Sequence, residues 1–141
     1  MQEIHKSPYC TISYEADNSL MEISYNESTY QMSEAAYKQD LEIYCQKLQQ
    51  YQPSYTLSDM QNFQFTIAPE VQEWVNALFG KLQAEGTMNT QVRGAIVMSA
   101  DFFAQVSLEQ TLEDSQVEMG NESSLRYFPS RQEAIDWLLQ R

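Results

Sequence analysis

The chain is poor in the residues that chemistry usually needs. Its 141 residues include one histidine, two cysteines, four glycines and four prolines. With His5 as the only imidazole, a Ser-His-Asp arrangement would have to be built on residues 1–7, which read as a flexible N-terminal lead-in. Cys10 and Cys45 form no CxxC pair and have no evident base beside them. Disulfide frameworks, zinc knuckles and thiol catalysis are therefore not expected, and both thiols read as small apolar groups in a reducing compartment. Gly80, Gly86, Gly94 and Gly120 do not cluster, so no phosphate cradle can be drawn.

Positive charge is scarce as well. Eight Lys and Arg stand against 20 Asp and Glu, for a net charge of -12. A polyanion repels phosphate backbones, which disfavours nucleic acid and anionic membranes as partners and favours a basic protein surface. The acidic stretch Glu113, Asp114, Glu118 and Glu122 lacks calcium-loop spacing and reads as a solvated loop. No metal and no cofactor are expected. No apolar run approaches the roughly 20 residues that span a bilayer. The opening Met1-Gln2-Glu3-Ile4-His5-Lys6 lacks the basic-then-apolar layout of a signal peptide. A cytoplasmic protein is the expectation.

What the chain does have is a folding pattern. Hydrophobic residues at 43% and aromatics at 12% suffice for one core, expected to form a single domain over residues 8–141. Cys10, Ile12 and Tyr14 alternate with polar residues, as do Met21, Ile23 and Tyr25. The intervening Asp17-Asn18-Ser19 is turn chemistry, so an antiparallel hairpin is predicted. Ser33 caps a helix to about Tyr51, closed by Pro53, and Tyr55 to Met60 forms a third strand. Pro69 and Glu70 open a second helix with the stripe Val71, Trp74, Val75, Leu78, Phe79 and Leu82, ending near Gly86.

Gly94 to Met98 is an unbroken apolar run, as in a central parallel strand covered on both faces. Ser99 is expected to cap a short helix at 101–105, and Ser107 to Gln110 forms a further capping box. The segment 113–124 reads as a polar loop. Leu125 to Phe128 is the fifth strand, and Ser130 with Glu133 opens the last helix. The order ββαβαβαβα predicts an α/β fold with a mixed five-stranded sheet and right-handed β-α crossovers.

Three strings carry a family resemblance. They are Ile67-Ala68-Pro69-Glu70-Val71-Gln72-Glu73-Trp74-Val75-Asn76, then Phe102-Phe103-Ala104-Gln105-Val106-Ser107, then Arg126-Tyr127-Phe128 with Glu133-Ala134-Ile135-Asp136-Trp137-Leu138. Over residues 8 to 140 the chain resembles the SpoIIAA-like superfamily, the fold of STAS domains, and most of all small stand-alone STAS-like proteins of bacteria. Lipid-binding CRAL-TRIO domains are distant kin. The resemblance implies a regulatory domain of that fold. In signalling STAS domains a serine at the start of the helix after the third strand is phosphorylated. Here the Asp-Ser-Ser-Gly-type string is missing, Ala68 stands at the N-cap, and Thr66 is the only hydroxyl near the helix start.

Asp59 and Asp101 follow predicted parallel strands, on the sheet edge where α/β proteins place ligands. Asp59, Asn62, Thr66, Ser99 and Asp101 are therefore the candidate ligand or partner edge. The simpler reading is that Asp59 starts a turn and Ser99 with Asp101 caps a helix. Trp74 belongs to a core stripe, whereas Trp137 adjoins one and suits an interface. Eight tyrosines crowd the first 55 residues, and two readings of them stand level: a shared contact surface or a half-buried core. A non-enzymatic STAS-type module that binds a protein, a second copy of itself included, is the functional expectation. The alternative is a small-molecule or lipid carrier, which needs a cavity of roughly 300 Å³ or more.

Overall fold

The computed structural model describes residues 1–86, 92–99 and 125–140. They form an α/β protein built on one mixed sheet of six strands. The strands are β1 (Gln2–Lys6), β2 (Cys10–Glu15), β3 (Leu20–Tyr25), β4 (Tyr55–Asp59), β5 (Arg93–Val97) and β6 (Leu125–Phe128). They lie side by side in sequence order. β1–β2 and β2–β3 are antiparallel, and β3 through β6 are parallel. The helices are α1 (Glu34–Tyr51), α2 (Pro69–Ala84) and α3 (Arg131–Leu139), with a 3-10 turn at Glu27–Gln31.

The sixth strand corrects the expected five. Residues 1–7 were read as a flexible lead-in, yet Gln2–Lys6 pairs along β2 with an irregularity between Glu3 and His5. Only Ile4 in this strand is aliphatic, so no alternation announces it. At the edge of the sheet, backbone pairing holds this polar strand together with Ile4 packed on the core and His5 beside Asp40. The expected helix at 101–105, the box at Ser107 and the loop 113–124 lie outside the described residues.

Local chemistry explains the joints. Ser19 sits at φ 51 in the β2–β3 turn. Its carbonyl accepts the Ser54 and Tyr55 amides at 2.9 and 3.0 Å, which pins the start of β4 beside the start of β3. Ser33 caps α1 by accepting the Ala36 amide. Gln52 ends that helix in the left-handed region, and Pro53 follows. α2 begins at Pro69 with no side-chain cap, since its N-cap is Ala68.

Two cores form, one on each face. On one face Ile12, Met21, Ile23 and Tyr25 pack with Tyr37, Leu41, Tyr44 and Leu48 of α1 and Val71 of α2. On the other, Leu20, Leu57, Ala95 and Val97 pack with Ala134, Ile135 and Leu138 of α3. β3 feeds both, so its residues are buried on either side and the expected one-sided hairpin holds only for β2. The units β3–α1–β4 and β4–α2–β5 step the same way along the sheet on the same face, so they share one hand. Burying each Leu or Ile contributes about 1.5–3 kcal/mol, and β3 alone draws that gain from both faces.

Candidate functional sites

The expected edge does not converge into a site. Asp59 ends β4 half-buried, and its Oδ1 accepts the Gln61 amide at 3.1 Å, the turn role that the simpler reading assigned to it. Burial, above all, raises the Asp59 carboxyl above the usual carboxylate range; nearby Glu22 adds to this, while the Gln61 amide and Arg131 act against it. Asn62 and Thr66 are exposed in the segment leading to α2, and Ser99 is exposed past the end of β5. Asp101 lies outside the described residues. The backbone between them is held by Thr29, fully buried, whose hydroxyl donates to the Asn26 carbonyl and accepts the Gln64 amide. No pattern in the sequence distinguishes Thr29 from any other hydroxyl.

Beside Asp59 lies an ion pair that sequence reasoning missed. Arg131, the first residue of α3, donates to both carboxylate oxygens of Glu22 at 2.8 and 3.1 Å. Glu22 projects from β3 toward α3, buried at its carboxylate end, and its hydrogen bonds hold the guanidinium above its ordinary pKa. The pair fixes where α3 starts on the sheet. It engages both carboxylate oxygens of Glu22, so Glu22 is not a free partner for Asp59 in acid–base chemistry.

A second cluster forms where β1 meets β2. His5, expected in a flexible lead-in, lies on β1 with Nε2 3.3 Å from Oδ1 of Asp40, a buried carboxylate in the middle of α1. Ser7 donates to Asp40 Oδ2 at 2.8 Å, and its oxygen accepts the Tyr9 and Cys10 amides at 3.1 and 3.2 Å. The Ser7 hydroxyl also lies 3.8 Å from Cys10 Sγ. One hydroxyl carries one proton, and the short, charge-assisted contact to Asp40 takes it. Burial, the larger cause, and the Asp40 charge push the Cys10 thiol up to about 12. A thiol so buried and so weakly acidic is no nucleophile. Ligand atoms of His5, Cys10 and Asp40 all lie within 4.8 Å of one another. That grouping corrects the expectation that no Cys/His cluster exists. It was invisible because Asp40 stands 35 positions from His5 and joins it only through the packing of α1 on the sheet.

The third feature is a basic-aromatic patch on an acidic chain. Trp137 of α3 packs against Phe128 with ring centroids 5.5 Å apart and planes tilted by 43°. Arg93 lies over Trp137 at 4.1 Å, and Arg126 sits 5.5 Å from Trp137 and 5.7 Å from Phe128. Leu125, 46% exposed, precedes Arg126 on β6 and lies on the opposite face of the sheet. Among the described residues the outer edge of β6 pairs with nothing. Trp137 and Phe128 are themselves half-buried against the core beneath α3, so the exposure that would mark Trp137 as an interface residue is only partial.

The tyrosines follow the half-buried-core reading. Tyr25, Tyr37 and Tyr44 are buried, Tyr25 and Tyr37 against Phe63. Tyr9, Tyr14, Tyr51 and Tyr55 are half-buried on the cores, and only Tyr30 stands out, at 65% exposure. Trp74 is half-buried with Lys38 over its ring. Open grooves occur among the described residues. One of about 260 Å³ lies between α1 and α2, lined by Cys45, Gln49, Leu78 and Leu82 among others. Another, of about 220 Å³, lies around Met1, Tyr14 and Asp17. No helix among the described residues is long and apolar enough to cross a membrane. Compared with protein-family models, curated proteins and solved structures, the chain finds no match.

Proposed function

We propose that the chain is a non-enzymatic, STAS-type regulatory module of the bacterial cytoplasm that binds a protein partner along β6 and α3. The observation that carries this reading is the Arg93–Arg126–Trp137–Phe128 patch beside β6, which is the last strand of the sheet among the described residues. Arginine and tryptophan are the residues that dominate binding energy at protein interfaces. An edge strand offers backbone groups to an extended segment of a partner. On a chain of net charge -12, a local pair of guanidiniums selects a partner segment that carries carboxylates and orients it.

The STAS assignment draws support from two β-α-β units stacked on one face, preceded by an antiparallel hairpin and followed by a β6–α3 unit on the other. The added strand β1 is a departure from the five strands that the resemblance implies. Two free, buried cysteines suit a reducing compartment. The carrier alternative has less support among the described residues, where the grooves between α1 and α2 and around Met1 are open and smaller than a typical ligand cavity of roughly 300 Å³.

The test is parallel affinity capture from native cells with the parent chain and an Arg126→Glu/Trp137→Ala variant. A protein retained by the parent in stoichiometric amount and lost with the variant, at matched thermal stability, is the expected result. A small molecule recovered with the parent and no protein, or a partner retained equally by both, overturns the assignment.

A further inference from the structure

We propose that His5, Cys10 and Asp40 form a binding site for a divalent transition metal ion of borderline softness, zinc foremost. The three side chains offer one nitrogen, one sulfur and one oxygen, the donor set that suits zinc. Their ligand atoms already lie within 4.8 Å of one another. Zinc bonds of about 2.0 Å to nitrogen and oxygen at the tetrahedral angle require an N···O separation of about 3.3 Å. His5 Nε2 and Asp40 Oδ1 stand at 3.3 Å. The pair spans one edge of the coordination tetrahedron before any ion enters.

Charge and support agree with that geometry. A Cys10 thiolate and an Asp40 carboxylate offset the two positive charges of the ion, so the filled site is neutral in a buried place. As the metal–sulfur bond forms, the thiol proton leaves to solvent. Ser7 holds the second Asp40 oxygen at 2.8 Å while two backbone amides hold Ser7, so the carboxylate is oriented by an outer shell. The His5 side chain is 19% exposed and Asp40 is 6% exposed, which leaves the imidazole as the way in. Three protein ligands leave a fourth position for water or for a group brought by another molecule. The ion would clamp β1 and β2 to α1, three elements otherwise joined here only by hydrogen bonds and packing.

The purified chain, stripped of metal, is titrated with cobalt(II) alone and then with zinc(II). One equivalent of cobalt is expected to give a thiolate-to-metal charge-transfer band and tetrahedral visible bands, both bleached by zinc. His5→Gln, which keeps a hydrogen-bonding side chain at this half-buried position, weakens cobalt binding at least about tenfold; Ser7→Ala weakens it about 10- to 100-fold. Cys10→Ser abolishes the charge-transfer band, and Cys45→Ser, which alters the only other thiol, leaves it unchanged. Circular dichroism confirms that each variant is folded. Absence of a saturable band, a band that follows Cys45, or equal affinity in parent and His5→Gln overturns the proposal.

Discussion

Arg131 grips Glu22 across 109 positions of sequence, with its Nε and Nη2 on the two oxygens of one carboxylate. The contact joins the start of the last helix to the strand that both cores share. Glu22 is 11% exposed at its side chain and Arg131 48% exposed, so the acid has far more to lose than the base.

Removing the base alone is therefore the damaging change. Arg131→Ala leaves a buried carboxylate without its donors, and a loss of about 1–3 kcal/mol in urea unfolding is expected. Replacing both ends together, Glu22→Leu with Arg131→Met, removes the desolvation cost along with the attraction and is expected to be close to neutral. A double variant as unstable as Arg131→Ala would show that the loss does not come from an unpaired buried carboxylate.

Alkaline pH acts on the core in a defined direction. Burial raises Cys10 and Cys45 from 9.0 to about 12, and it raises Tyr25, Tyr37 and Tyr44 as well. The unfolded chain therefore releases these protons first as pH rises. Their stabilising contribution is fully present below pH 9.0 and is lost as pH climbs toward about 12. Urea midpoints are expected to fall steadily over that window, and iodoacetamide is expected to label both thiols only in urea. Rapid labelling of native protein would contradict the buried placement of Cys10 and Cys45.

Thr66 stands exposed ahead of α2, where the resemblance would place a phosphorylated hydroxyl. Its neighbourhood shows no phospho-acceptor string, and the β6–α3 patch is carried by other elements. Partner affinity is expected to be the same in Thr66→Ala as in the parent. Binding that fails in Thr66→Glu while persisting in Thr66→Ala would restore a phosphorylation switch.

How much was legible follows from where the information sits. Ser33 and Pro53 bound α1, Pro69 opens α2 and Ser130 caps α3, because caps and breakers act within one turn of helix. The alternation of Cys10 to Tyr25 marked β2 and β3 for the same local reason. β1 escaped, since an edge strand with one aliphatic residue has no period to read. The side-chain clusters escaped for a different reason. Asp40 looks like any solvent-facing acid on a helix, and Glu22 like the polar half of an alternating strand. Only packing of α1 and α3 on opposite faces brings them to His5 and Arg131. At the expected edge the reverse held: Asp59 had the right position, but its carboxylate accepts its own turn's amide.

Binding along β6 is most directly tested by amide hydrogen exchange of the chain alone and with its captured partner. Residues 125–128 and the start of α3 are expected to gain protection on binding, because an added strand would pair with the β6 backbone. Protection confined to the α1–α2 groove, with β6 exchanging as freely as before, would contradict the proposed interface.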